Sequence, residues 1–396
     1  MSKRAFAVLI ACFLTVLTHY SIRYSYGTLL PGMLPALDIT KAQAGVIYSS
    51  YFIAYMIFSP IMGLLSDKYD MRLIISIFVT LMGAGAFLMQ FPTGLWQACL
   101  FFAITGIGCA ACWAPIMALS QRWTSDKNRG LSLALVDAGS TLGVMTAGAV
   151  IPMLIAESGW RFGWQVLGLF GMCLGAVNYI LIRDRPASSA TATIQKEGWK
   201  KHTGVTYRQL LSDRRFWMIG LAYLLVGVSI QIPFTFLSTY AVQELGFSYE
   251  TATRLITLIG AAGLVGKLTL GPFSDTIGRI KIMALCSILI MVGCLGIAFS
   301  HGWILFPLTF IFGIGYGACW SMYAACAADF FSKESSGTII GLWTVYLGIG
   351  LTISPVVAGW TADFTGTLHS AFIISGFGGL GSVVLLLPLL ENTKRD

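Results

Sequence analysis

Long apolar segments separated by short polar or charged stretches run the whole length of the chain. Crossing a bilayer as a helix takes roughly 20 apolar residues, and twelve segments meet that requirement. The first six cover residues 5–34, 42–65, 72–92, 95–121, 131–155 and 163–183. The second six cover residues 217–242, 252–274, 282–299, 303–328, 337–360 and 370–390. We therefore predict an all-α integral membrane protein with twelve transmembrane helices.

A polar stretch separates the two groups of apolar segments. It opens with Arg183-Asp-Arg-Pro-Ala-Ser-Ser and turns basic before the next apolar run. We predict an N-terminal six-helix bundle over 1–183, a cytoplasmic linker over 184–216 and a C-terminal six-helix bundle over 217–396. The first apolar run continues to Leu37 without a small-residue cleavage site, so we expect a retained span rather than a signal peptide.

The charge distribution predicts the orientation in the membrane. Only 11% of the 396 residues are charged, against roughly 25% in a soluble domain. In the predicted topology, 20 of the 25 Lys and Arg lie on the side of the N-terminus. The exceptions are Lys41, Arg161 and Arg254 on the other side, and Arg23 and Lys267 within spans. By the positive-inside rule, both termini are expected in the cytoplasm and the chain in the inner membrane. The net charge of +8 therefore does not imply nucleic acid.

The two halves carry recurring motifs. Gly63-Leu-Leu-Ser-Asp67-Lys68-Tyr-Asp70-Met-Arg72 returns 208 residues later as Gly271-Pro-Phe-Ser-Asp275-Thr-Ile-Gly278-Arg279. Ser21-Ile-Arg23 aligns with Ser229-Ile-Gln231 at the same offset of 208. Parallel duplicated halves predict two pseudo-symmetric bundles with the substrate site near the midplane between them. Gln231 is then the counterpart of Arg23.

The repeated loop supplies charges at helix ends. Acidic and basic side chains there are candidates for ion pairs that hold one gate state and break in another; they are Asp67, Arg72, Arg129, Asp275 and Arg279. The glycines that open the two copies, Gly63 and Gly271, are predicted to let neighbouring helices approach closely. The alternative is that the charges only anchor loops at the membrane interface.

Arg23 lies near the centre of the first apolar segment, between Arg4 and Asp38. An arginine at that depth costs at least about 2.5–3.5 kcal/mol, so a protein carboxylate or an anionic ligand must compensate its charge. The neighbouring Tyr20 and Tyr24 add hydroxyl donors that suit a wet cavity. We predict that these three residues, together with Gln231, bind a transported anion.

Two further ionisable residues lie within spans. Asp137 is predicted to be either the resting counter-ion of Arg23 or a proton site that couples transport. Lys267 either binds the anion or extends towards the end of its helix. Further cavity candidates are aromatic residues and one histidine, for which packing is the commoner role: Tyr316, Tyr346, Trp113, Trp320, Tyr323, Trp343 and His19.

The repeated loop, present in both halves, resembles the signature loop of the major facilitator superfamily, although Asp70 replaces its glycine. Tyr20-Ser-Ile-Arg23 resembles the first-helix motif of organophosphate:phosphate antiporters and anion:cation symporters, in which the arginine contacts the substrate. Gly266-Lys267-Leu-Thr-Leu-Gly271 resembles the eighth helix of monocarboxylate and oxalate/formate transporters, in which an arginine binds the carboxylate. Lysine keeps the charge but loses the planar fork. The resemblance implies the major facilitator fold.

Motifs of other function classes are missing from the sequence. There is no phosphate-binding glycine loop, no His-Glu-x-x-His and no nucleophilic triad pattern, and the nine cysteines all lie in apolar segments. We expect a protein that is not an enzyme, binds no metal or cofactor, and is a monomer. The predicted function is secondary transport of a small organic anion by alternating access with proton symport or exchange, and the expected substrate class is a monocarboxylate. The alternatives are an organophosphate antiporter, a drug exporter and a non-transporting membrane sensor.

Overall fold

The structure, a computed structural model, describes residues 3–124, 129–156, 158–183, 207–331 and 336–392. These residues form α-helices and one 3₁₀ turn at Gly302–Ile304, with no strand among them. The N-terminal half contains α1 (Lys3–Leu37), α2 (Lys41–Lys68), α3 (Met71–Leu88), α4 (Leu95–Cys109), α5 (Ala114–Arg122), α6 (Arg129–Ile155) and α7 (Gly159–Leu181). The C-terminal half contains α8 (Tyr207–Ser212), α9 (Arg214–Gln243), α10 (Tyr249–Ile277), α11 (Arg279–Phe299), α12 (Leu305–Phe330), α13 (Ser336–Thr365) and α14 (His369–Asn392).

Twelve helical segments among the described residues are long and apolar enough to cross a membrane. They correspond to the twelve predicted spans, with α4 and α5 together forming the fourth. Successive spans alternate in direction, so α1 begins and α14 ends on the same side, which we call the terminal face. The other side is the opposite face. Most of the predicted linker, residues 184–206, lies outside the described residues.

Side-chain caps define several helix starts. Thr40 caps α2 in a reciprocal capping box with Gln43, which satisfies backbone N–H groups that have no partner within the helix. Asp70 caps α3 by accepting from the Arg72 N–H at 2.8 Å. In the second copy of the loop, Gly278 stands at this position with φ of 106°, a conformation that favours glycine. The departure from the family loop at Asp70 thus exchanges a glycine turn for a helix cap.

The fourth span is interrupted in a way that hydropathy does not predict. Helix α4 ends at Cys109, and α5 begins at Ala114 with Pro115 in its first turn. Proline has no N–H to give to the helix ladder, so the first turn of a helix is a position that accommodates it without loss of a hydrogen bond. The residues between the two helices, including Trp113, therefore leave the regular hydrogen-bond ladder inside the span.

The helices form two six-span bundles. In the first bundle α3 packs on α7, α1 on α6, and α2 on α4. In the second, α12 packs on α10 and α11, while α9 packs on α13 and α14. The bundles meet along three helix pairs, α2 with α13, α6 with α10, and α1 with α9. This is the predicted pair of pseudo-symmetric halves around a central axis.

The bundles are closed against each other at the opposite face. A Cβ added at Gly45 of α2 would lie 2.2 Å from the Pro355 carbonyl oxygen of α13. A Cβ at Gly148 of α6 would lie 2.4 Å from the Thr257 nitrogen of α10. Contacts this close between backbones require glycine, so the two bundles touch at these two helix pairs.

At the terminal face the described parts of the two bundles do not pack closely against each other. Each of the four facing helices carries a glycine near this face that has nothing within 4 Å of an added Cβ; they are Gly63, Gly130, Gly271 and Gly341. The predicted close packing at Gly63 and Gly271 is therefore wrong for this conformation, because the bundles diverge where these glycines lie.

Candidate functional site

Arg23 lies deep inside the first bundle, with 6% of its surface exposed. Its guanidinium carbon lies 4.6 Å from the ring centre of Phe52, 5.1 Å from that of Tyr24 and 5.8 Å from that of Tyr20. Aromatic faces attract a cation by their quadrupole but do not neutralise it. The Nε and Nη2 atoms are buried without a hydrogen-bond partner. Both are donors that an incoming acceptor can satisfy.

Tyrosine hydroxyls fix the backbone of α1 around this side chain. The Tyr48 hydroxyl of α2 donates to the Arg23 carbonyl oxygen at 2.9 Å. The Tyr26 hydroxyl donates to the Ala44 carbonyl oxygen at 2.7 Å. These bonds join α1 to α2 at the level of the guanidinium, so Arg23 is carried by a rigid pair of helices.

Helix α1 crosses α9 one turn beyond Arg23. A Cβ at Gly27 would lie 1.9 Å from the Phe234 carbonyl oxygen, so the two backbones touch there. The crossing brings Gln231 to the same level, fully buried, with its Nε2 donating to the Thr235 hydroxyl at 3.2 Å and its Oε1 without a partner. Arg23 and its predicted counterpart thus each keep polar atoms unpaired beside the α1–α9 crossing.

Two other predicted residues join this group across the interface between the bundles. The hydroxyl of Tyr24 in α1 and that of Tyr316 in α12 lie 3.3 Å apart. The Tyr20 ring centre lies 5.8 Å from the Arg23 guanidinium carbon. The structure therefore brings together five of the predicted substrate-binding residues, Arg23, Tyr20, Tyr24, Gln231 and Tyr316.

Asp137 and Lys267 pair with each other and not with Arg23. Lys267 Nζ of α10 lies 3.0 Å from Asp137 Oδ2 of α6 and 2.9 Å from Ser140 Oγ. The two side chains are 22% and 36% exposed, at the edge of the α6–α10 contact towards the terminal face. No described carboxylate lies within 4 Å of Arg23. Asp137 as the resting counter-ion of Arg23 is thus a wrong expectation, since an ammonium from the other bundle occupies its carboxylate.

Tyr346 does not belong to the group around Arg23. Its ring lies 6.3 Å from Phe216 and 6.1 Å from Trp217, where α9 begins at the terminal face. The neighbouring Trp343 donates from Nε1 to the Phe216 carbonyl oxygen at 3.0 Å. Both aromatic residues pack α13 onto α9. The expectation that Tyr346 lines the cavity rested on its position within a span, and this helix contact shows that Tyr346 packs elsewhere.

The predicted gating charges are partly described. Arg279 pairs with Asp275 at 2.9 Å and also with Asp329 of α12. Arg72 donates to the Tyr179 carbonyl oxygen and stacks 3.8 Å over the Tyr179 ring. The side chains of Asp67 and Arg129 lie outside what the structure describes. Arg279 thus joins α10, α11 and α12 of one bundle at the terminal face.

Sequence reasoning missed a polar network at the opposite face. Lys41 Nζ of α2 lies 3.0 Å from Glu244 Oε1 at the end of α9. The Asp363 carboxylate of α13 accepts from the backbone N–H groups of Lys41 and Ala42 at 3.0 and 2.9 Å. The available signal was a group of charges at the few polar boundaries on this side of the predicted topology.

The sequence analysis also gave little weight to His19. It lies one helical turn before Arg23, is buried, and has no hydrogen-bond partner at Nδ1. Its ring centre is 4.9 Å from that of Tyr20. Among the described residues no cluster of three His, Cys, Asp or Glu side chains is placed to hold a metal ion.

Comparison with known sequences gives consistent matches along the chain. The model of a family described as Major Facilitator Superfamily matches residues 12–269 and 244–396. Monocarboxylate transporter 12 of Xenopus laevis is 25% identical, over 90% of this chain and 82% of that protein. The membrane sensor protein UhpC of Salmonella typhimurium is 26% identical, over 97% and 91%. A probable hexose phosphate transport protein of Chlamydia trachomatis is 25% identical, over 97% and 90%.

Solved structures share the fold. A bacterial homolog of the human lysosomal transporter Spinster, in an inward-facing and unoccupied conformation, superposes with a TM-score of 0.77 at 15% identity. That match covers 98% of this chain and 95% of the other. The nucleoside transporter NupG superposes with a TM-score of 0.76 at 18% identity, over 98% and 99% of the two chains. At these identities the likeness describes the helix arrangement alone.

Proposed function

Since the chain belongs to the Major Facilitator Superfamily of membrane transporters, we propose that it carries a small organic monoanion, a monocarboxylate, across the membrane by alternating access. Members of this family are transport proteins and not enzymes. Arg23 binds the anionic group, and Gln231 with the hydroxyls of Tyr20, Tyr24 and Tyr316 orients it. The relatives named above include a monocarboxylate transporter and probable hexose phosphate carriers, whose named substrates are all organic anions.

The unpaired guanidinium of Arg23 carries this proposal. Taking an ion out of water costs several kcal/mol even after relaxation of the protein, and within spans such residues mark substrate or ion paths. Every ion pair given by the described residues joins other side chains, and two nitrogens of Arg23 lack any acceptor. A carboxylate supplies both the missing charge and the missing acceptors.

The conformation supports an exchange of access between the two faces. The bundles touch at the opposite face and diverge at the terminal face, so the site is reached from the terminal side. Most Lys and Arg lie on that side of the predicted topology, and by the positive-inside rule we assign it to the cytoplasm. The described conformation is then inward-facing.

The Asp137–Lys267 pair is the proposed coupling element. It joins the two bundles at the edge of their contact, so its rupture accompanies any rocking of one bundle on the other. Protonation of Asp137 removes the charge that holds Lys267, which gives a route to proton symport. Exchange of one anion for another is the alternative, and it requires no such protonation.

Counterflow in proteoliposomes tests the proposal. Proteoliposomes that contain the native protein are loaded with unlabelled carboxylates and assayed for uptake of labelled carboxylates. The same assay is run with Arg23→Gln and with the matched control Arg254→Gln. Arg254 is an exposed arginine whose pair, Glu250, lies on the same helix. We expect the control to transport like the native protein and Arg23→Gln to lose transport by at least about tenfold, because a hydrogen bond to a charged group contributes about 1.5–3 kcal/mol. Equal transport by Arg23→Gln contradicts the role of Arg23.

A membrane sensor is the second candidate, because one of the similar proteins is named a membrane sensor protein. A sensor on this fold binds its anion without sustained flux. The same proteoliposomes separate the two candidates: anion-dependent thermal stabilisation without counterflow favours the sensor, and counterflow favours the carrier.

A further inference from the structure

Each bundle contains a tyrosine and a tryptophan that pack edge to face, an arrangement that we call a tyrosine–tryptophan corner. In the first, the Tyr20 and Trp113 ring centres lie 6.1 Å apart at an interplanar angle of 66°. In the second, Tyr316 and Trp320 lie 6.2 Å apart at 90°. Both tryptophans are only half-buried, and they are related by the 207-residue offset of the duplicated halves. The two tryptophans are therefore repeat counterparts, whereas Tyr20 of α1 and Tyr316 of α12 come from different positions in the two halves.

The two corners are connected through the rings beside Arg23. Tyr24 packs on Phe234 with 4.1 Å between ring centres, and Phe234 packs on Tyr316 at 4.9 Å. The Tyr20 ring that forms the first corner lies 5.8 Å from the Arg23 guanidinium carbon. An anion held by Arg23 consequently has its remaining atoms next to aromatic faces and edges.

The charged and polar groups around Arg23 suit a ligand that carries a single negative charge. The ammonium of Lys267 is neutralised by Asp137 at 3.0 Å, which leaves Arg23 as the cation without a described carboxylate partner. The polar groups gathered at the α1–α9 crossing are tyrosine hydroxyls and the Gln231 amide. A sugar phosphate presents a second charge and several hydroxyl groups that need partners when they are buried. The described residues offer here one guanidinium without a carboxylate partner, which matches a single negative charge better than two.

The Trp113 corner has a further distinguishing feature. Trp113 lies in the interruption between α4 and α5, where its backbone angles are φ −120° and ψ −76°. Pro115, two residues later, lies in the first turn of α5, so the break between the two helices comes directly before it. The tryptophan therefore contacts the Tyr20 ring from a break between two helices and is only half-buried there.

We propose that the transported anion is a monocarboxylate with a flat apolar ring, its carboxylate on Arg23 and its ring between the Tyr20–Trp113 and Tyr316–Trp320 corners. This rests on the proposed function. Edge-to-face packing of aromatic rings is favourable beyond the area that it buries, so the ring gains contacts from both bundles at once. Acetate and lactate reach only the guanidinium and its immediate donors.

Competition in counterflow tests the ring. Benzoate, phenylacetate, acetate, lactate and glucose 6-phosphate are compared with the native protein and with Trp113→Leu and Trp320→Leu. Trp303→Leu is the matched control, since Trp303 is 75% exposed at the opposite face. We expect the ring-bearing acids to half-saturate transport at concentrations about tenfold or more below acetate and lactate. Each corner variant is expected to reduce that preference to within about threefold, whereas the control keeps it.

Conservative variants guard against misfolding. Trp113→Phe and Trp320→Phe retain a ring and are expected to keep most of the preference, and ring-bearing acids are expected to change the intrinsic tryptophan fluorescence of the native protein. Acetate and lactate transported as well as benzoate, or a preference unchanged in both leucine variants, overturns the ring assignment and leaves the anion carrier standing. Failure of all these monocarboxylates to support counterflow overturns the proposed function itself.

Discussion

The Lys41 ammonium of α2 and the Glu244 carboxylate at the end of α9 form a 3.0 Å ion pair between the two bundles, with 18% and 19% of their side chains exposed. Glu244 Oε1 also accepts from the Leu368 N–H at 2.7 Å. The pair is thus bound into the turn before α14 and is shielded from most water. At the opposite face it acts with the α2–α13 contact to hold the bundles together.

Removing this charge should loosen the opposite face. In Glu244→Gln the shape is kept and the ion pair is lost, which costs about 1–3 kcal/mol for a hydrogen bond between charged groups. We expect amide hydrogen exchange at the start of α2 to accelerate about tenfold, because closed and open populations shift by that energy. Glu250→Gln removes an exposed carboxylate within α10 and should leave exchange at α2 unchanged. Equal exchange in both variants would show that the pair does not hold this face.

The Asp137–Lys267 pair predicts a compensating double variant. Asp137→Asn or Lys267→Met alone leaves one charge without its partner, and we expect each to lower the melting temperature of the purified protein. Since both side chains are partly exposed, the coupling energy should be near 1 kcal/mol. The double variant carries neither charge and should recover most of the lost stability in a thermal unfolding assay.

Transport by the same variants separates a structural pair from a coupling element. If Asp137 takes up the coupled proton, the double variant should fold normally, exchange anions in counterflow, and fail to accumulate them under an imposed proton gradient. Proton-driven accumulation at the native rate by the double variant would remove Asp137 from the coupling mechanism.

Much of this architecture is predictable because it depends on local sequence. The twelve spans follow from hydropathy, the duplication follows from repeated residues, and Arg23 is identified by the cost of a charge at bilayer depth. These features need no knowledge of which helices pack together. The residues grouped around Arg23 were found for the same reason, since Tyr20 and Tyr24 share its helix and Gln231 is its repeat counterpart.

The errors arise where the partner comes from another helix. The pairing of Asp137 with Lys267 depends on the contact between α6 and α10, and the location of Tyr346 depends on how α13 packs on α9. The close approach expected at Gly63 is absent from the described conformation, where nothing lies within 4 Å of an added Cβ. A single sequence pattern cannot distinguish two states of the same chain.

The α1–α9 crossing predicts one of the least tolerant positions in the protein. Gly27→Ala places a methyl carbon 1.9 Å from the Phe234 carbonyl oxygen, so the helices must separate beside the anion site. We expect a loss of about 1–3 kcal/mol, as for overpacked cores, seen as a lower melting temperature and weaker anion stabilisation. Gly341→Ala adds the same methyl group in α13 where nothing lies within 4 Å. It should be neutral or slightly stabilising, since alanine favours helix.

The open glycines at the terminal face predict how transport can be stopped without damage to the site. When the bundles rock, the surfaces of α2, α6, α10 and α13 that diverge here must meet, as the same helices now meet at the opposite face. A Cβ at Gly271 meets nothing within 4 Å in the described conformation, so we expect Gly271→Leu to fold normally. It should also bind the anion, with the native degree of thermal stabilisation.

The leucine at this position should nevertheless block closure of the terminal face, because overpacking a close helix contact costs about 1–3 kcal/mol or more. We expect Gly271→Leu to lower counterflow by at least about tenfold while anion binding persists. Gly94→Leu is the control, a glycine outside any helix that also has nothing within 4 Å but lies towards the opposite face. Native transport by Gly271→Leu would mean that α10 does not approach the other bundle here in any state of the cycle.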